Sequence, residues 1–140
     1  MVEPVVLSVA LEGGCLCGAL RYRVLPGAAD SAYCHCRMCQ RAGGSPVMAW
    51  FSVPAARFAY IKGVPSVYRS SSAAIREFCE RCGSPILFRP DDHPKIDIAT
   101  ATLDEPALVP PTYHIWRMSR LPWFETTDAL PRFDDRGPDV

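Results

Sequence analysis

The chain has 140 residues, 49% of them hydrophobic, with fifteen basic and fifteen acidic side chains that cancel to no net charge. That length suits one domain with one core, and the charge balance supplies no drive toward nucleic acid or an anionic membrane surface. The opening MVEPVVLSVALEGG lacks a basic leader, and no later stretch reaches the roughly 20 apolar residues that span a bilayer, so a soluble, cytoplasmic protein is expected.

Taken in chain order, the first chemical feature is GGCLCGAL, which carries Cys15 and Cys17 beside glycines. ALRYRV follows, in which Leu20, Tyr22 and Val24 alternate with Ala19, Arg21 and Arg23, the period-two pattern of a strand with one buried face. Next comes YCHCRMCQ, with Cys34, Cys36 and Cys39 inside six residues and no fourth cysteine nearby. QRAGG then allows one helical turn before Gly43 and Gly44 stop it. PVMAWFSV, RFAYI, SVYRS, IREFC, PILFR and KIDIATATL read as further strands, rich in β-branched and aromatic residues and bounded by Pro, Gly or Ser. Between the last three, FCERCGSP supplies Cys79 and Cys82. Fourteen prolines interrupt the chain throughout, so no long helix is expected and about seven or eight strands make one all-β domain spanning 1–140.

From Leu103 onward prolines separate Tyr113, His114, Trp116, Trp123 and Phe124, and such a stretch is not expected to be regular. Its aromatics fit a loop pinned across the sheet to enlarge a small core. His114 is expected to be a packed, hydrogen-bonded side chain, the alternative being that it lines a metal site. The tail FDDRGPDV reads as a solvated segment.

Seven cysteines are an odd number and cannot all pair as intramolecular disulfides, and cellular reductants keep thiols free in the expected compartment. Metal binding is the leading explanation, and zinc, tetrahedral and tolerant of sulfur-only coordination, is the natural ion. One partition joins Cys15 and Cys17 to Cys79 and Cys82 as a closed four-thiolate site and leaves Cys34, Cys36 and Cys39 as a three-thiolate set with one position free. Spacing does not force it: Cys36, Cys39, Cys79 and Cys82 also make an ordinary ribbon, which strands Cys15, Cys17 and Cys34. The second zinc is open to thiols in one reading and structural in the other, with His35, a distant side chain or water as fourth ligand.

GGCLCGALRY, CHCRMCQRAGG, REFCERCGSPI, PTYHIWRMSRLPWF and DALPRF, in this order, resemble the glutathione-dependent formaldehyde-activating enzyme family, which includes the centromere protein V domain. The resemblance runs from about Gly13 to Phe133. It implies an Mss4-like β-tent, a structural zinc on Cys15, Cys17, Cys79 and Cys82, and a second zinc on Cys34, Cys36 and Cys39. It also implies an activity, the joining of formaldehyde to the thiol of glutathione to give S-hydroxymethylglutathione.

The coordination itself favours thiol chemistry. Three thiolates around a dication leave a net charge near minus one, a weaker Lewis acid than zinc on three neutral histidines and better suited to binding an incoming thiol than to activating water. The cysteines are then expected to be ligands rather than nucleophiles, in a carbon–sulfur lyase or thiol–aldehyde adduct enzyme of the kind the resemblance implies. Glutathione carries two carboxylates, and arginine forks bind carboxylates bidentately. Arg37 and Arg41, which flank the triplet, are the nearest candidates, with Gln40 as a hydrogen-bonding partner. The alternative class is a zinc-stabilised, non-catalytic protein-binding module. Methionine sulfoxide reduction needs a redox-active cysteine beyond the ligands, and the four-plus-three partition leaves none.

Overall fold

A computed structural model describes residues 2–138, and the all-β expectation holds among them. The strands are β1 (Val5–Leu7), β2 (Leu11–Gly14), β3 (Arg21–Val24), β4 (Gly27–Cys34), β5 (Met48–Pro54), β6 (Phe58–Lys62), β7 (Ser66–Ser71), β8 (Ala74–Phe78), β9 (Pro85–Pro90), β10 (Lys95–Ala99) and β11 (Tyr113–Ile115). They form two sheets. The larger runs β1-β4-β5-β10-β9-β8-β7, with β11 added parallel to β4, and the smaller runs β2-β3-β6.

The period-two patterns explain how the sheets meet. On β3, Tyr22 and Val24 are fully buried while Arg21 and Arg23 face out to bond Asp104 and Glu12. On β5, Phe51 and Val53 point inward and Trp50 and Ser52 take the opposite face. Phe51, Val53, Leu87, Ile96 and Ile98 of the large sheet thus join Leu11, Leu20, Tyr22 and Val24 of the small one in a single core. Each fully buried side chain of this size stabilises the fold by about 1.5–3 kcal/mol.

Four strands and one helix differ from expectation. β1, β2, β4 and β11 were not legible, and β4 is the most consequential because it pairs with β1, β5 and β11. Its sequence GAADSAYC is poor in β-branched residues, and only pairing on both edges holds it extended. The stretch after Leu103, expected to be irregular, contains β11, which is fixed from outside. Its His114 amide donates to Pro131 and its carbonyl accepts from Phe133. Helix α1 (Arg37–Gly43) is longer than one turn and begins inside the cysteine triplet, with Cys36 as N-cap accepting from the Cys39 amide and Gly44 as left-handed C-cap. KIDIATATL leaves the sheet after Ala99 in a 3-10 turn at Thr100–Thr102. Trp123, expected in the core, is 74% exposed. No helix among the described residues is long and apolar enough to cross a membrane.

Candidate active site

Cys15 and Cys17 follow β2 in the small sheet, and Cys79 and Cys82 follow β8 in the large one. The fold brings all four sulfurs within 4.8 Å of one another. Each pair sits in a tight turn closed by a glycine at positive φ: Gly18 donates to the Cys15 carbonyl, and Gly83 donates to the Cys79 carbonyl. The Leu20 amide donates to Cys15 Sγ at 3.2 Å. Four sulfurs about 2.3 Å from a zinc at a tetrahedron's centre are about 3.8 Å apart. Here Cys15 and Cys17 are 3.6 Å apart, and Cys17 and Cys79 3.7 Å, so the donor set fits such an ion.

Cys34 at the end of β4, Cys36 at the helix cap and Cys39 in the first turn of α1 form the second group, also within 4.8 Å of one another. The Cys34 and Cys39 sulfurs are 3.2 Å apart and both residues are buried. Hydrogen bonds from the Cys34 and Cys39 side chains pull the Cys36 thiol well below its ordinary value, while Cys36 and Cys39 together push Cys34 well above. Ionising one of the three sulfurs thus works against ionising its neighbours. A bound dication is what would let all three ionise together, and this donor set fits zinc as well. The partition into four and three is the one the fold assembles, and the ribbon pairing Cys36 and Cys39 with Cys79 and Cys82 is not.

The triplet opens on a cavity. A space of about 490 Å³, within the range of small-molecule sites, is lined at one end by Cys34, Cys36 and Cys39 and along its walls by Trp50, Phe88, Tyr113, Ile115 and Trp116. Asp30, Ser52, Arg76 and Asp97 line it too, and the sequence reading singled out none of them. Their signal was present only as alternation: Ser52 follows Trp50 by two on β5, and Asp30 precedes Ala32 by two on β4. Buried Trp50 Nε1 has no hydrogen-bond partner.

The three polar residues flanking the triplet part company. Arg37 lines the cavity and donates to Gln40 Oε1. Gln40 is buried, and its amide donates to the carbonyls of His35 at 2.7 Å and Ser119 at 3.1 Å, tying α1 to the 3-10 turn at Arg117–Ser119. Arg41 is exposed and outside the cavity lining.

His114 is not among the cavity's lining residues; it is packed and hydrogen-bonded, as first expected. Its Nε2 lies 3.1 Å from Asp128 Oδ1 and its Nδ1 lies 2.9 Å from His35 Nε2. Both rings are fully buried. Burial, with His114 alongside, pushes His35 down to about 4, and burial likewise lowers His114 despite Asp128. A neutral His114 that donates from Nε2 to Asp128 accepts at Nδ1 from His35, which orients the ring lying between two cysteines of the triplet.

Comparison with known proteins bears on both centres. Over 77 residues, 55% of this chain, the sequence is 34% identical to an uncharacterized lyase of Schizosaccharomyces pombe. The match covers 56% of that relative, so the chain aligns with little more than half its length. A crystal structure of a Rhodobacter sphaeroides protein, 24% identical, superposes with a TM-score of 0.56 over 67% of this chain and 88% of that one, a likeness of fold. The profile of the glutathione-dependent formaldehyde-activating enzymes matches residues 10–119, a span that holds all seven cysteines and the helix between them. With that match over most of its length, the chain belongs to the glutathione-dependent formaldehyde-activating enzyme family.

Proposed function

We propose that the protein is a zinc-dependent carbon–sulfur lyase that forms or cleaves the adduct between a thiol, glutathione in the first instance, and a small aldehyde such as formaldehyde. The observation that carries this reading is the asymmetry between the centres: the three-cysteine group lines a cavity of small-molecule size, and none of the other four cysteines lines it. Family membership and the lyase named in yeast support it.

In this reading Cys15, Cys17, Cys79 and Cys82 hold a structural zinc, and Cys34, Cys36 and Cys39 hold a second. Bound there, the second zinc supplies a position that accepts a thiol and lowers its pKa. The reaction joins the thiol sulfur to the carbonyl carbon, opens the C=O double bond and leaves the thiol's proton on the former carbonyl oxygen; cleavage runs the same bonds backward. The chain contributes confinement. Trp50, Phe88 and Trp116 wall the cavity against water, and holding both reactants there supplies the proximity that a spontaneous addition lacks. Arg37 offers a guanidinium at the sulfur end for an anionic part of the thiol substrate. Gln40 holds the helix and the 3-10 turn in place.

The test is zinc content per chain, followed by the rate of 13C-formaldehyde addition to glutathione measured by NMR exchange. Two zincs and an addition rate above the uncatalysed one, lost in Cys36→Ser, are expected. A fully zinc-loaded protein that leaves the rate unchanged for glutathione and for small thiols overturns the proposal and favours a binding module.

A further inference from the structure

The registers of the large sheet place six residues in one row across six neighbouring strands: Asp30 opposite Ser52, Ser52 opposite Asp97, Asp97 opposite Phe88, Phe88 opposite Arg76, and Arg76 opposite Tyr68. Directly paired residues project from the same face, so this row lies on the face away from the core, and its first five members line the cavity. The next row toward the sulfurs holds Tyr113, Ala32, Trp50 and Ala99, and beyond it Cys34 pairs with Met48. Asp30 stands four positions before Cys34 on β4, about 14 Å of extended strand, and Asp97 and Arg76 lie in its row two and four strands farther across the sheet.

The charges in the row are unequally used. Asp30 is paired with Lys95 at 3.0 Å. Asp97 accepts only from Ser52 Oγ and has no cation in hydrogen-bonding range. Arg76 lies over the Phe88 ring, 5.0 Å from its centroid, and no acceptor among the described residues hydrogen-bonds its guanidinium. The ring of Phe88 thus stands between a carboxylate and a guanidinium that face one cavity and do not bond each other. Burial raises the Asp97 pKa, although the Ser52 hydroxyl and the nearby His93 and Arg76 act against the rise. A ligand that satisfies both groups carries a cation and an anion close together.

We infer that this end of the cavity recognises the zwitterionic α-amino-acid head of a peptide thiol, Asp97 taking the ammonium and Arg76 the carboxylate, with the sulfur directed to Cys34, Cys36 and Cys39. Between head and sulfur the cavity is lined by Ala32 and Trp50. The γ-glutamyl end of glutathione has this form, whereas a bare small thiol leaves the row unfilled. The inference rests on the thiol-binding role proposed above.

Trp50 and Trp116 line the cavity, so intrinsic fluorescence of the zinc-loaded protein reports its occupancy. Four thiols are titrated: glutathione, its glutaryl analogue lacking only the head ammonium, its γ-aminobutyryl analogue lacking only the head carboxylate, and 2-mercaptoethanol, with zinc-edge absorption reporting sulfur coordination for each. Wild-type protein is expected to bind each analogue at least tenfold more weakly than glutathione. Asp97→Asn should then bind glutathione and the glutaryl analogue alike, and Arg76→Gln should bind glutathione and the γ-aminobutyryl analogue alike. If wild-type protein binds all three peptides within twofold and adds their sulfur to zinc, the head site is overturned and the thiol site stands. If no thiol, 2-mercaptoethanol included, changes the zinc coordination, both readings fall. The analogue series on wild-type protein decides the question even if a variant fails to fold.

Discussion

His35 Nε2 and His114 Nδ1 are 2.9 Å apart although 79 positions separate the two residues in the chain. The bond is made possible by β11 pairing parallel to β4, with His114 opposite Tyr33, two positions before His35. It joins the cysteine triplet to Asp128, through a carboxylate supplied by the chain's last segment.

Acid should weaken this fold well before its carboxylates protonate. Both histidines sit below the ordinary value near 6.5, His35 at about 4, so below pH 6.5 the unfolded chain binds protons that the folded chain refuses. Stability is then full above pH 6.5 and falls as the pH drops toward 4, by up to about 1.4 kcal/mol per pH unit for His35, with His114 contributing in the same direction. Urea midpoints at pH 7.5, 6.5 and 5.5, with zinc content checked at each, read this slope. His114→Gln should flatten it, and a midpoint constant over that range would contradict the assignment.

Losing a ligand from the two cysteine groups should have different consequences. The four-cysteine group ties a turn after β2 to a turn after β8, one from each sheet, whereas Cys34, Cys36 and Cys39 lie within six residues. A metal held by the first group would contribute its binding energy to folding, on the order of 10 kcal/mol for structural zinc sites. Cys79→Ser is expected to give insoluble or unfolded protein. Cys36→Ser should keep its circular dichroism, hold one zinc fewer and lose activity, and equal collapse of both variants would make the second centre structural too.

Gly13→Ala tests how closely the small sheet meets the chain after β10. A methyl group there would lie 2.4 Å from the Thr102 carbonyl oxygen and 2.5 Å from Tyr22 Oη, which itself bonds Thr102 Oγ1 at 2.8 Å. Carbonyl and buried ring have little room to yield, so a loss of about 1–3 kcal/mol is expected. Thermal melting checks it, and an unchanged midpoint would mean that the contact relaxes freely.

Two ion pairs offer a contrast in burial. Glu77 is 6% exposed and holds Arg89 at 2.8 Å and the Tyr60 hydroxyl at 2.9 Å. Glu77→Ala leaves two donors without their partner and should destabilise the protein by about 3 kcal/mol or more. Arg69 and Asp91 meet on the exposed surface, and Arg69→Ala should change stability by less than about 1 kcal/mol. Denaturant titrations of the two variants compare them directly, and equal losses would contradict the ranking.

The strands legible in advance were those whose own side chains alternate, such as the one carrying Tyr22 and Val24. β4 and β11 were not, because GAADSAYC and YHI carry too little local preference and are held extended by neighbours distant in the chain. The same limit applied to the arginines. Arg37 and Arg41 drew attention by their nearness to cysteines, yet α1 turns only Arg37 toward the cavity. Arg76, nearly forty positions from the triplet, was invisible until β8 was laid beside β9.

What the sequence by itself determined is the donor set: thiols two or three residues apart can reach one ion whatever surrounds them, so ligand type and local grouping are written in the chain. What only the tertiary structure decided is which cysteine group faces a cavity and what lines that cavity. Asp30, Ser52, Asp97 and Arg76 come from four different strands and face one space only because the sheet's registers align them. Registers are set by the packing of the opposite, buried face, where Phe51 and Ile98 meet the small sheet.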